Sequence, residues 1–450
     1  MHFDFLFKPH ALQTQRAVVL AAVMAWACTA VLAETAEQEN WNAKFQSTYV
    51  WQEKRPMSAD YSGPNSLSTS KEHSYSFTAT LALGWRPWSG GELYLDPEAA
   101  QGVPLSSLTG LGGFTNGEMA RTSGATLKVY RARLFLRQTW GDGGEQDAMA
   151  SAANQLGGMV DKSRWVLTAG NLSPLDIFDA NSYNHDPRTQ FLNWSLMTHG
   201  AFDYAADARG YSWGVAVERY VDDWVVRAAR FIEPKEPNQQ QLDSRIFKYY
   251  GDQIELEHAH EVDGQPGRLR LLAFRSRTKM SRYQDALDLA AANGDVPDIN
   301  QVRTGEQIKY GLGVNLEQAL TDDVGLFMRA SWADGGTETY AFTEIDRSVS
   351  LGVSVKGTRW SRAQDTVGLA LARNGLSSVH RQYLAEGGMG FFLGDGALNY
   401  QPETVLEAFY SLNLCKAVWL TLDWQQIRNP AYNADRGPAT ISSLRFHTEF

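Results

Sequence analysis

The chain has 450 residues, with 51 acidic against 41 basic side chains and a formal charge of −10. This acidic balance argues against a nucleic-acid partner. Beyond the first residues no apolar run approaches the roughly 20 needed for a membrane helix, which excludes a helical membrane protein.

The mean hydropathy of −0.35 resembles that of a soluble protein, but a β-barrel gives the same average because lumen-facing polar residues alternate with lipid-facing apolar ones. Aromatic residues reach 12%, including 14 Trp and 18 Tyr, a supply that suits girdles at two membrane interfaces. In chain order, residues 1–33 read as an export signal. Lys8 and Arg16 precede an apolar run that ends in Val31 and Ala33, with polar Glu34 next. Cleavage there leaves 34–450 as the mature domain.

Period-2 alternation dominates the mature domain. Tyr75, Phe77, Ala79, Leu81, Leu83 and Trp85 share one face, opposite Ser74, Ser76, Thr78 and Thr80. Similar patterns place strands near 43–53, 73–85, 91–98, 126–139, 164–170, 211–220, 223–231 and 252–262. Further strands fall near 267–277, 306–317, 323–333, 346–356, 365–373, 404–414, 417–428 and 439–450. These are about sixteen strands, an even number, and they predict an all-β, transmembrane antiparallel barrel. The connections support it, because short ones (86–90, 220–223, 263–266, 321–323, 415–417) alternate with long ones. Short connections belong on the periplasmic side and long loops outside. The exception is 142–163, a long connection where a turn is expected; its sequence around 148–156 predicts a periplasmic helical insertion. The longest connection, 171–210, is the candidate for a loop folded into the pore. The final strand alternates Leu444, Phe446, Thr448 and Phe450 with Arg445, His447 and Glu449, and a terminal Phe on such a strand is a signal for the barrel-assembly machinery.

Several stretches also resemble one family. They are Gly91-Glu92-Leu93-Tyr94-Leu95-Asp96-Pro97-Glu98, Ala132-Arg133-Leu134-Phe135-Leu136-Arg137-Gln138-Thr139, Phe178-Asp179-Ala180-Asn181-Ser182-Tyr183, Asp186-Pro187-Arg188-Thr189-Gln190-Phe191-Leu192-Asn193, and Asn429-Pro430 with Arg436-Gly437. They resemble the carbohydrate-selective porins of the OprB type. The resemblance implies a sixteen-stranded barrel in the outer membrane of a Gram-negative bacterium, passing glucose and other mono- or small oligosaccharides by passive diffusion. Outer-membrane lipid and lipopolysaccharide would surround it, as a monomer or a homotrimer.

A sugar pore needs donors and acceptors that exchange hydroxyl hydrogen bonds with water cheaply. With Leu93 and Leu95 facing lipid, Glu92, Tyr94, Asp96 and Glu98 face the lumen. With Tyr130, Ala132, Leu134 and Leu136 outward, Arg131, Arg133 and Arg137 form a basic ladder inside. The long connection gathers Asp186, Arg188, Gln190, Asn193 and Trp194, and an indole beside polar groups suits stacking on a sugar ring. Glu407, Asp423, Gln425 and Arg445 fall on lumen positions of the far wall. For all of these the plain alternative is charge compensation or packing in a wet interior.

No cofactor is expected, a bound Ca2+ being the alternative. Asp176, Asp179, Asn181 and Asp186 form a loose, calcium-like grouping that lacks the bidentate Glu and central Gly of an EF-hand. His258 and His260 share a face near a turn, where an interfacial position explains them better than a metal. Organic acids are the alternative solutes, though an anion pore would have arginines without the facing glutamates. An enzyme is the remote alternative: His185 and His199 share the long connection with Ser182 and Ser195, but nothing in the sequence orients them.

Overall fold

A computed structural model describes residues 38–450 apart from Ser123 and Thr343, so the predicted export signal lies outside the described residues. Sixteen antiparallel strands close into a barrel, and two more, β5 and β6, pair only with each other. In chain order the first six are β1 (Trp41–Lys54), β2 (Glu72–Trp88), β3 (Gly91–Val103), β4 (Lys128–Gly141), β5 (Gln146–Met149) and β6 (Gly158–Asp161). Next come β7 (Arg164–Leu172), β8 (Ser212–Val221), β9 (Trp224–Ile232), β10 (Tyr250–Val262), β11 (Gln265–Lys279) and β12 (Glu306–Thr321). The ring is completed by β13 (Val324–Ala333), β14 (Arg347–Gly357), β15 (Arg362–Gly375), β16 (Glu403–Cys415), β17 (Val418–Arg428) and β18 (Ala439–Glu449). All sixteen predicted strands are present.

Closure follows from the solvent. Hydrocarbon offers backbone amides no partner, so a spanning sheet must have no edge. Here β1 pairs with β18, with Tyr49 opposite Phe446 and Val50 opposite Arg445. The terminal residue extends the seam: Phe450 N donates to Phe45 O at 2.9 Å, Phe45 N donates to Phe450 O at 2.8 Å, and the two rings lie 5.3 Å apart. Leu81, Leu83 and Trp85 are exposed on the outer face of β2, while Ser74, Ser76, Thr78 and Thr80 are buried inside. Trp85, Trp88, Trp140, Trp165 and Trp224 stand exposed near the short-turn ends of their strands, as an interface girdle requires. The tight turns use left-handed residues, as at Asp263 (φ 52°) and Gly264 (φ 75°), because two successive positive φ values match the twist of the flanking strands.

Two expectations are corrected. Residues 142–163 hold no helix. They form the separate hairpin of β5 and β6, whose tip turns back toward the barrel mouth. The alanine-rich run has helical propensity, but that is a weak preference. Asn154 adopts φ 60°, and Asn42 Nδ2 donates to the carbonyl of Gln155 at 2.9 Å, so tertiary bonds prevail.

The second correction concerns β4. The β3–β4 register slips between Asp96 and Pro97, so Asp96 faces Arg133 but Pro97 faces Arg131. Proline cannot donate to the ladder and fits such a bulge. Side-chain parity flips across it. Tyr130 turns inward to bond Glu98, and Arg131 turns outward over the Trp213 ring, 5.2 Å from its centroid. Arg131 therefore leaves the predicted lumen ladder.

Candidate pore constriction

The connection between β7 and β8, residues 173–211, runs through the lumen. Its start is set locally: the Ser173 hydroxyl accepts from Leu175 N, the Asp176 carboxylate accepts from Ser173 N, and Pro174 opens the turn. Farther on, Asn193 Oδ1 accepts from Ser195 N at 2.9 Å and caps the short helix Trp194–Met197.

Wall residues hold this inner loop at both flanks. On the β10–β13 side, Arg329 Nε donates to Asp179 Oδ1 at 2.8 Å and Asn315 Nδ2 donates to the same oxygen at 2.6 Å. Glu255 accepts from Asp179 N at 2.8 Å and Glu317 from Ser182 N at 2.7 Å. On the β16–β18 side, Glu407 accepts from the amides of Leu192 (2.5 Å) and Asn193 (3.0 Å), and Asn193 Nδ2 donates to Gln425 Oε1 at 3.0 Å. Arg445 Nη1 donates to the carbonyls of Pro187 (2.8 Å) and Gln190 (2.6 Å). Burial alone would raise the Asp179 carboxyl, but the Arg329 charge and His199 hold it well below the usual carboxylate range. Burial pushes His199 down to about 4.

On the remaining side, toward β2–β4, the loop presents charge to open space. Arg188 Nη2 lies 3.0 Å from Glu98 and its Nε 2.9 Å from Glu118. Thr80 and Thr78 donate to these two carboxylates at 2.6 Å each. Glu118 belongs to the connection between β3 and β4, where Arg121 Nε reaches it at 3.0 Å. Arg133 grips Asp176 with two 2.7 Å bonds and reaches Asp96 at 3.2 Å. Burial would raise Glu118 and Asp176, but the neighbouring guanidiniums, Arg188 first for Glu118 and Arg133 first for Asp176, keep both lowered and ionised.

Three cavities border this side of the inner loop. One of about 350 Å³ and another of about 180 Å³ share Arg133, Asp176 and Arg188 in their linings. A third, of about 640 Å³, is lined by Arg188, Thr189 and Gln190 together with residues of several short turns, among them Gln265, Asp322 and Asp323. Arg188 lines all three. An ion-paired gap thus lies between the inner loop and β3–β4, whose guanidinium edges keep donor positions and whose carboxylates keep lone pairs.

The predicted residues divide. Glu92, Asp96, Glu98, Arg133, Arg137 and Arg188 come together on this side, with Arg137 3.7 Å from Glu92, and Arg86 reaching Glu92 at 2.8 Å. Asp186 accepts from Arg188 N at 2.9 Å and shapes the turn that aims Arg188. Asn193, Glu407, Asp423 and Gln425 are buried behind the loop as struts. Trp194 is 3% exposed, stacked on Phe342 at 4.9 Å and edge-on to Phe114, so packing takes most of the indole, while the rest of it borders the cavity of about 180 Å³. The calcium-like set is dispersed: Asp176 pairs with Arg133 and Asp179 with Arg329, while Asn181 Nδ2 donates to Asn315 Oδ1 at 2.8 Å. Sequence reasoning missed Glu118, Arg121, Tyr130 and Tyr211, and placed Asp176 only in the cation grouping. Arg121 and Tyr211 bond each other beside Glu118. The Glu118–Arg121 pair at i,i+3, just after the Asn116 cap, was the available signal.

The fold has known counterparts. A structure of Pseudomonas putida OprB at high pH superposes with a TM-score of 0.68 at 16% identity, covering 91% of this chain and 94% of that one. The low-pH structure of the same porin gives 0.50 at 13% identity, covering 91% and 93%. At such identities the likeness shows the fold. No curated protein matches the chain in sequence. The family model described as "Carbohydrate-selective porin, OprB family" matches residues 64–450, and the chain belongs to that family.

Proposed function

We propose that this chain is a passive sugar-selective channel of the Gram-negative outer membrane, with Arg133, Asp176 and Arg188 at its narrowest point. The carrying observation is that these three side chains are common to the cavities on either side of the narrows, and that each cation there has a carboxylate partner. A neutral polyhydroxyl solute can borrow donors and acceptors from such pairs and return them. A free anion meets Asp96, Glu98, Glu118 and Asp176 beside the arginines, which disfavours the organic-acid reading. The role is that of a channel rather than an enzyme, in keeping with family and fold. Lipopolysaccharide and phospholipid would contact the outer face, and Phe450 would present the assembly signal. Liposome swelling with glucose, gluconate and arginine at equal osmolarity tests the reading: glucose should be fastest, and faster uptake of gluconate would defeat it.

A further inference from the structure

The hairpin of β5 and β6 has no role in the narrows, yet its tip is built into the barrel mouth. Glu39 binds Gly157 twice, with Gly157 N donating to Glu39 Oε2 at 2.7 Å and Glu39 N donating to Gly157 O at 3.0 Å. Leu156 is 3% exposed, and its amide donates to the Tyr94 hydroxyl at 3.1 Å. Gly84 leaves the room: a Cβ there would lie 2.9 Å from the Tyr94 ring and 3.2 Å from Leu156 Cδ2. At the tip itself Asn154 Nδ2 donates to Asp96 Oδ2 at 2.9 Å, and Arg137 Nη1 donates to the Asn154 carbonyl at 3.0 Å. The tip therefore touches the same Asp96 that Arg133 reaches from the other side.

The cavity of about 350 Å³ lies between these two structures. Ala152, Ala153, Asn154 and Gln155 form its wall on the tip side, and Arg133, Asp176 and Arg188 form it on the side of the narrows. Its volume falls near the lower end of ligand-sized pockets, about 300–1,000 Å³. Resting on the sugar-channel reading, we propose that the hairpin tip is a second selectivity element at the short-turn end of the barrel. It confines a vestibule suited to one sugar ring and screens solutes by size before, or after, they meet the arginines. Two short barriers in series, each binding weakly, favour passage over retention.

The test begins from geometry. Asp142 N bonds Ser163 O at 3.0 Å, so residues 143–162 can be replaced by a two-residue Asn-Gly turn. In planar bilayers the shortened channel should conduct roughly twofold more than the wild type, and maltotriose added on the hairpin side should block it with a faster on-rate. Maltotriose added from the loop side should block both channels alike. Asn42→Ala, which removes bonds to Ser151 and Gln155 while keeping the hairpin, should fall between them. If the shortened protein does not assemble as a heat-modifiable barrel, Asn42→Ala alone decides through the same on-rate. Unchanged conductance and unchanged on-rate on the hairpin side would overturn the inference. If excision raises conductance while glucose never interrupts the wild-type current, the sugar reading falls and the hairpin filter stands.

Discussion

The β2–β4 wall and the β16–β18 wall carry the same chemistry and use it differently. On the first, Glu98 and Arg133 meet the inner loop through ion pairs that border open cavities, with Asp96 paired to Arg133 within the wall. On the second, Glu407, Asp423, Gln425 and Arg445 are buried and spend their hydrogen-bonding capacity on loop amides and carbonyls or on one another. A charged residue on a lumen-facing position is therefore either pore lining or scaffold, and what decides is the path of the loop that crosses above it. The β10–β13 wall is scaffold of the same kind, since Arg329 and Glu317 clamp Asp179 and Ser182.

Substitutions should separate the two walls. The largest stability effect is expected for Arg329→Ala, which strands the buried Asp179 carboxylate; loss of one partner of a buried pair typically costs about 3–5 kcal/mol. Unfolding by denaturant in detergent micelles would read this as an earlier midpoint. Glu407→Ala should follow, because it orphans the amides of Leu192 and Asn193, at about 1–3 kcal/mol for each buried group left unsatisfied. It should also broaden the open-channel current as the loop loosens, and a quiet trace at wild-type conductance would remove Glu407 from the scaffold. Arg188→Ala shifts the balance: it should cost less stability than Arg329→Ala, because Arg121, Thr78 and Thr80 still hold Glu118 and Glu98, and it should alter both conductance and glucose block. A further effect concerns pH. Burial depresses His199 to about 4, so the unfolded chain binds more protons than the folded one between about pH 6.5 and 4. The stability that neutral His199 allows is full above about 6.5 and declines as pH falls through that window. A thermal-unfolding series should show the decline flattened in His199→Gln.

The strands were legible because lipid on one side and water on the other impose a strict period of two, and connection lengths add a second, independent pattern. What the pattern cannot carry is a change of parity. One bulge beside Pro97 moved Arg131 out of the lumen and Tyr130 into it, although Pro97 itself was visible. The inner loop could be picked out by length and polarity, but not its course. Trp194, which reads as a sugar platform, stacks on Phe342 and meets Phe114 edge-on because two other connections converge on it. Glu118 escaped notice for the same reason: it reaches Arg188 across 70 positions of sequence. The 142–163 insertion misled through propensity, where a handful of bonds to Asn42, Glu39 and Tyr94 outweigh a weak helical preference.

The most direct measurement is glucose-induced current noise through single channels of the wild type and of Arg188→Ala. With Arg188 common to all three cavities, the substitution should raise ion conductance and weaken the glucose block together. A variant that blocks and conducts as the wild type does would contradict the placement of the narrows at the Arg133–Asp176–Arg188 gap.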